Sequence, residues 1–264
     1  MLTTKQEVDR LRNTLRFLAG NLQHEFDLLD INDMKLVDRF MLHQLQNLYQ
    51  NLKKSYDSMA YNKVCVTLQH FIANDLSGFY LSTVKDRLYC EPKLSKQRLS
   101  ALTTLSWLME YLTKTLSPIV PVLIHEVGLH HPELKIDLSK ALGKHHLQWV
   151  DGELCKNMQV ILDIRKAIHG ANVTKSDAVF LPAQIAKLGF TPEDLLEIFQ
   201  VAQVHFSSEI NDESESFLVQ VNEDLSLIFK PSLREICPRC RLCSSLIHGE
   251  LCPRCQEVVK EINV

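Results

Sequence analysis

At 264 residues, 45% hydrophobic and 23% charged, the chain has ordinary globular composition and length enough for one large domain or two to three smaller ones. A formal net charge of −3 excludes a uniformly basic nucleic-acid sheath, although a local basic face needs only a few side chains. No apolar run approaches the roughly 20 residues of a membrane span, and the opening MLTTKQEVDRLRN lacks the apolar core of a secretory signal, so a soluble protein of a cell or organelle with no membrane partner is expected.

Leu11, Leu15, Leu18 and Leu22 recur at helical spacing and predict a first amphipathic helix, with Arg10, Arg12 and Arg16 on its other faces. A second is expected after Asn32 and Asp33, both good N-caps, through Val37, Phe40, Met41, Leu45, Leu48 and Leu52. The third carries Val64, Leu68, Phe71, Ile72, Leu76, Phe79 and Tyr80. The fourth starts near Ser95 and runs through Leu99, Leu102, Leu105, Leu108, Leu112 and Leu116 until Pro118 and Pro121 end or kink it. Four long helices with short polar connections predict an antiparallel bundle over residues 1–150. Beyond Trp149 the elements shorten. A helix through Met158, Ile161, Leu162 and Ile168 stops at Gly170, and Thr191 caps a short helix with Pro192 at its first position. SFLVQVNEDLSLIFK, residues 216–230, alternates on either side of Asn222, Glu223 and Asp224 and reads as a hairpin. The expected class is therefore mainly α: a helix bundle, a small α+β domain over 151–232, and a distinct tail over 233–264. The acidic stretch Ser207–Ser216 reads as a solvated loop.

The tail is the most specific segment. Of eight cysteines, five crowd into CPRCRLCSSLIHGELCPRC, residues 237–255, a clustering that indicates metal binding and not secretion. A C-x2-C turn brings two sulfurs to one point, and two such turns supply the four thiolates of a tetrahedral zinc site. Cys237 with Cys240 and Cys252 with Cys255 make the favoured set, because CPRC then occurs in both halves with matching local geometry. Cys240 with Cys243 is the alternative pairing. One structural zinc ion is expected, its two net negative charges offset by Arg239, Arg241 and Arg254, supplying folding free energy that so few apolar residues cannot.

Catalytic signatures are missing. Neither G-x-x-x-x-G-K-[ST] nor G-x-G-x-x-G occurs among the eight glycines, nor do G-x-S-x-G or H-E-x-x-H. The adjacent pairs His130–His131 and His145–His146 point apart on a helix and read as surface residues.

RNTLRFLAGNL, Arg12 to Leu22, resembles the helix that opens the anticodon-binding bundle of isoleucyl-tRNA synthetases, matching at Arg12, Asn13, Thr14, Arg16, Phe17, Leu18, Gly20, Asn21, Leu22 and, further on, Phe26. SPIVPVLIHEV, Ser117 to Val127, is similar to a second landmark of that family at Pro118, Pro121, Leu123 and Glu126, and the paired CPRC is similar to its C-terminal zinc module. His125, Gly128 and Arg241 depart from the pattern, the last standing where a tryptophan commonly follows the second cysteine. The resemblance implies a C-terminal portion of the bacterial or mitochondrial type, with the adenylate-forming domain, its HIGH and KMSKS signatures, its ATP site and the editing domain outside this chain. The chain alone is then expected to be inactive. The implied partners are isoleucine tRNA and the remainder of the synthetase; the implied compartment is the mitochondrial matrix, with the cytoplasm as the alternative.

By the same resemblance the bundle lies along the anticodon arm and the zinc tail helps hold the anticodon loop. Phosphate contacts need Lys and Arg, which the bundle carries at Arg12, Arg16, Lys53, Lys54, Lys93, Lys96 and Arg98. Arg239, Arg241 and Arg254 are the candidates for stacking on, or hydrogen bonding to, unpaired bases. A zinc-stabilised helical scaffold for another protein, or a regulatory fragment, is the alternative, and predicts an exposed apolar patch in place of a basic one.

Overall fold

The structure is a computed structural model that describes residues 2–131, 149–171, 173, 176–207, 216–222, 225–232, 234–245 and 247–262. His145, His146, Glu223, Asp224 and the acidic residues Glu209–Glu215 lie outside them, as do the side chains of 2–4, 243–245 and 261–262. The chain divides into two compact units, one of residues 1–88 and 93–151, the other of residues 89–92 and 152–264.

The first unit is helical. Helix α1 (Leu2–Asn21) is followed by a loop and a 3-10 turn, Ile31–Asp33, and then α2 (Leu36–Asp57). The expected caps are displaced here: Asn32 and Asp33 belong to the 3-10 turn, which Asp30 caps by accepting from the Asn32 N–H at 2.9 Å. Lys35 is the N-cap of α2 and makes no side-chain cap bond. The competing local bond, an Asp reaching two residues on, closes a turn one step earlier than the helix that follows. Ser95, by contrast, accepts from the Arg98 N–H at 3.2 Å and starts α5 (Lys96–Leu116) as expected.

The third predicted helix is longer than its apolar pattern. It runs as α3 (Tyr61–His70), a π-helical stretch Phe71–Tyr80, and α4 (Leu81–Cys90). Within the π stretch a Cβ on Gly78 would come to 3.0 Å from the Ala73 carbonyl oxygen, which accounts for a glycine there. After α5, Pro121 takes the first position of α6 (Pro121–His130), where its missing N–H costs nothing.

Helix α2 packs on α3 and α5, and α1 on α5 and α6. Between them Leu15, Leu18, Leu45, Leu52, Leu68, Ile72, Tyr80, Leu105, Tyr111 and Leu112 are buried. Two threonines of α5 that share this interior donate to its own backbone: Thr113 to the Met109 carbonyl at 2.8 Å and Thr115 to that of Tyr111 at 2.7 Å. Buried with them is a polar network absent from the sequence reading. Asp38 accepts from Arg87 Nη1 at 2.7 Å and Nη2 at 2.8 Å, from the Tyr80 hydroxyl at 2.7 Å, and from the Ser100 hydroxyl. Trp149 closes the unit by packing on Trp107 and Tyr111 at 5.4 Å each.

The second unit is α+β. Helix α7 (Gly152–Gly170) precedes β1 (Asp177–Leu181), the short α8 (Ala183–Ala186), α9 (Pro192–Phe199), β2 (Gln203–Phe206), β3 (Phe217–Gln220) and β4 (Ser226–Pro231). The strand order is β2-β1-β4-β3, with β1 and β2 parallel and the other pairs antiparallel. The expected hairpin is β3–β4. Val179, Leu181, Val204, Val219, Leu227 and Phe229 are buried from this sheet, and α7 packs on β3 and α9. Thr191 and Asp194 form the reciprocal capping box that starts α9. The tail completes the unit as a two-stranded ribbon, β5 (Glu235–Ile236) with β6 (Cys243–Ser245), and α10 (Pro253–Ile262).

Candidate functional site

The paired CPRC segments reach one point by different local routes. In the first, Cys237 donates its N–H to the Leu242 carbonyl at 2.9 Å, and Arg241 donates back to the Cys237 carbonyl at 2.8 Å with φ at +58°, so the chain reverses between β5 and β6. The second opens a helix: Pro253 is the first residue of α10, and Gln256 donates to the Cys252 carbonyl at 3.0 Å. The matching geometry expected of the two halves is therefore not found. A left-handed residue follows the first turn, whereas helix-forming QEVVKEI follows the second and continues it. Gly249, at φ +79°, makes the reversal between the halves, in the left-handed region that favours glycine.

The four sulfurs of Cys237, Cys240, Cys252 and Cys255 lie within 4.8 Å of one another, the favoured set of the sequence reading. Cys237, Cys252 and Cys255 are buried, with Cys240 and Leu251 packed against them. Cys240 and Cys252 stand 3.8 Å apart, and the Cys252 N–H donates to the Cys237 sulfur at 3.3 Å. Burial alone would push the Cys237 thiol up, but hydrogen bonds from the backbone of Cys252, Cys240 and Arg239 outweigh it and bring it down to about 6. Burial pushes Cys240 up to about 12, helped by the neighbouring sulfurs of Cys252 and Cys255, and burial raises Cys255 as well. Cys237 is thus ready to ionise while Cys240 and Cys255 resist, first because they are buried and then because of the sulfurs beside them. A cation at their centre removes the conflict, and four soft sulfur donors with no oxygen ligand among them fit a single metal ion.

The arginines of the motif behave differently from one another. Arg239 Nη1 reaches the Cys255 sulfur at 3.6 Å, a bond that holds its pKa above the usual guanidinium value, and also the Cys90 carbonyl at 2.9 Å. Arg254 Nη1 donates to Glu91 Oε1 at 2.7 Å. Arg241 is exposed. Arg239 thus reaches a sulfur of the cluster directly. Cys90 and Glu91 were invisible as site residues in the sequence: a lone cysteine and an acid before Pro92 carry no spacing signal.

The basic candidates of the bundle fall at three places. Arg12 and Arg16 lie on α1, Lys53 and Lys54 near the end of α2, and Lys93, Lys96 and Arg98 around the start of α5. Arg16, Lys53, Lys54 and Lys93 are exposed. Arg12 pairs with Glu126 of α6 at 3.3 Å, which brings the first two resembling segments together, and Lys96 pairs with Asp33 at 2.6 Å. Arg98 is half-buried and its Nε makes no hydrogen bond.

Comparisons with known proteins agree over nearly the full chain. It is 30% identical to the mitochondrial isoleucine–tRNA ligase of Macaca fascicularis over 97% of its own residues and 29% of the relative. The isoleucine–tRNA ligase of Geobacillus thermodenitrificans is 30% identical over 96% of the chain and 30% of the relative, and the mitochondrial one of Saccharomyces cerevisiae 24% identical over 97% and 28%. The chain thus spans under a third of the length of these curated relatives. Residues 38–179, from the buried acid of α2 into β1, match the family described as the anticodon-binding domain of tRNA ligase. With more than half of its residues inside that match, the chain belongs to the anticodon-binding family of tRNA ligases.

Proposed function

We propose that this chain binds the anticodon arm of isoleucine tRNA as part of an isoleucine–tRNA ligase, and so supports aminoacylation carried out elsewhere in that enzyme. The observation that carries the reading is similarity to isoleucine–tRNA ligases over 97% of the chain, joined to a four-cysteine cluster at its end. Zinc is the proposed metal. Thiolate bonds of about 2.3 Å in a tetrahedron place sulfurs about 3.8 Å apart, the separation of Cys240 and Cys252. Cys237, Cys240, Cys252 and Cys255 would hold it, and it supplies folding free energy and no reaction chemistry. The mitochondrial names of the first relatives support the mitochondrial matrix as the site of action.

In the bundle, Arg12, Arg16, Lys53, Lys54, Lys93, Lys96 and Arg98 are the proposed phosphate contacts, with the exposed Arg16, Lys53, Lys54 and Lys93 first among them. In the tail, Arg241 is the proposed base contact. The test is a fluorescence titration of the chain with an isoleucine-anticodon stem-loop and a scrambled loop at two salt concentrations. Affinity is expected to fall with a log–log slope of roughly 0.7 to 0.9 per phosphate neutralised. Arg16→Ala should weaken both loops alike, whereas Arg241→Ala should remove about 1 to 3 kcal/mol of preference for the isoleucine loop. No binding to either loop overturns the proposal in favour of a protein scaffold.

A further inference from the structure

We propose that Arg239 and Arg254, the middle residues of the two CPRC turns, form a clasp that couples metal occupancy to the placement of residues 89–92. They are positioning residues, and the inference rests on the metal reading above. The arginines come one from each half of the cysteine cluster and converge on three consecutive residues, Tyr89, Cys90 and Glu91. Arg239 donates to the Cys90 carbonyl at 2.9 Å and to that of Tyr89 at 3.4 Å, while its own carbonyl accepts from the Cys90 thiol at 4.0 Å. Arg254 holds Glu91, whose side chain is only 9% exposed, at 2.7 Å. Tyr89 and Cys90 end α4, and the last carbonyls of a helix have no partner within it, so a guanidinium is well suited to fill that need.

What fixes the arginines is the cluster itself. Arg239 stands between Cys237 and Cys240 and touches the Cys255 sulfur; Arg254 stands between Cys252 and Cys255. The described apolar residues gathered there are few: Leu251 packs against the buried cysteines, and Val258 is buried on α10. Removing the metal frees the two halves, and the arginines lose their common frame. A Glu91 carboxylate left with little water and no guanidinium is costly, so residues 89–92 must then move toward solvent. The linkage is reciprocal: whatever the metal contributes to holding 89–92, an intact 89–92 contributes to holding the metal. Partners that orient metal ligands typically change metal affinity 10–100-fold when removed.

The experiment uses the zinc-loaded chain, with transfer of zinc to a chromophoric chelator and hydrogen exchange of peptides covering 86–96 as readouts. Glu91→Gln and Arg254→Gln are each expected to speed zinc release about 10-fold, the double variant no more than either single one, and Arg254→Lys to recover part of the loss. Chelating the zinc from the unaltered chain should raise exchange in 86–96 to the level of Glu91→Gln. Release rates within twofold of the unaltered chain, or exchange in 86–96 indifferent to zinc, would overturn the clasp while leaving the metal site standing. A chain that retains no zinc at all overturns both, and the stem-loop titration bears on neither.

Discussion

Changing Asp38 to Asn tests the interior of the bundle with almost no change of shape. Asp38 is fully buried and Arg87 is 2% exposed. The substitution withdraws the negative charge from a guanidinium that reaches it at 2.7 and 2.8 Å, and turns an amide NH2 toward one of the donors. Stranding one partner of a buried pair costs about 3–5 kcal/mol, and at about 2–4 °C per kcal/mol for a unit of this size the midpoint should fall on the order of 10 °C. Thermal unfolding for the midpoint and urea unfolding for the free energy, both followed by tryptophan fluorescence, are the assays. Both tryptophans of the chain, Trp107 and Trp149, lie in the first unit, so the signal reports that unit. The effect also has a pH signature. Burial alone would raise Asp38, but the Arg87 charge and the bonds from Arg87, Ser100 and Tyr80 outweigh it and hold the carboxyl below its usual 3.8. A carboxyl lowered by folding contributes its full stability above the unfolded value and loses it as pH falls through the folded one. The gap between the two proteins should therefore stay level from pH 7 to about 5 and close below about 4. Replacing the pair together, Asp38→Leu with Arg87→Met, should cost less than Asp38→Asn alone. A loss under about 1 kcal/mol at pH 7, or a gap that widens in acid, refutes the reasoning.

Elemental analysis of the purified chain should find one zinc per molecule; Cys237→Ser should abolish it and Cys243→Ser should not, and the reverse pattern would move the first ligand to Cys243. Thr191→Ala breaks the capping box of α9 and should cost about 1 kcal/mol by calorimetry of the second unit's transition. An unchanged midpoint there would mean that Pro192 and packing alone define the start of that helix.

Periodicity made the bundle legible, because Leu, Val and Phe recur at helical spacing wherever a helix has one buried face. The π stretch escaped the same test: Val64 to Tyr80 keep an apolar pattern that an α-helix also fits, and only the backbone distinguishes the two. Strands β1 and β2 escaped it as well. DAVFL and QVHF are short apolar runs whose pairing depends on partners far along the chain, whereas β3 and β4 are joined by a turn visible in the sequence. The Asp38 network was hidden because one acid among the apolar residues of α2 reads as a solvated charge until Tyr80, Arg87 and Ser100 are brought to it. The cysteine set was legible because ligand spacing is local geometry. The engagement of Arg239 and Arg254 was not, since their partners are remote in sequence.

That remoteness has a consequence for synthesis. Arg254 follows Glu91 by 163 residues and Arg239 follows Cys90 by 149. At about 5–20 residues per second the ribosome takes on the order of 10 to 30 s to supply the two arginines. Throughout that interval, while α5 to α9 are being made, the residues that will receive them are in the hands of water. The proposed metal can be captured only once Cys255 has been made, and a pause in translation before residue 237 would prolong the interval in which the second unit lacks its closure.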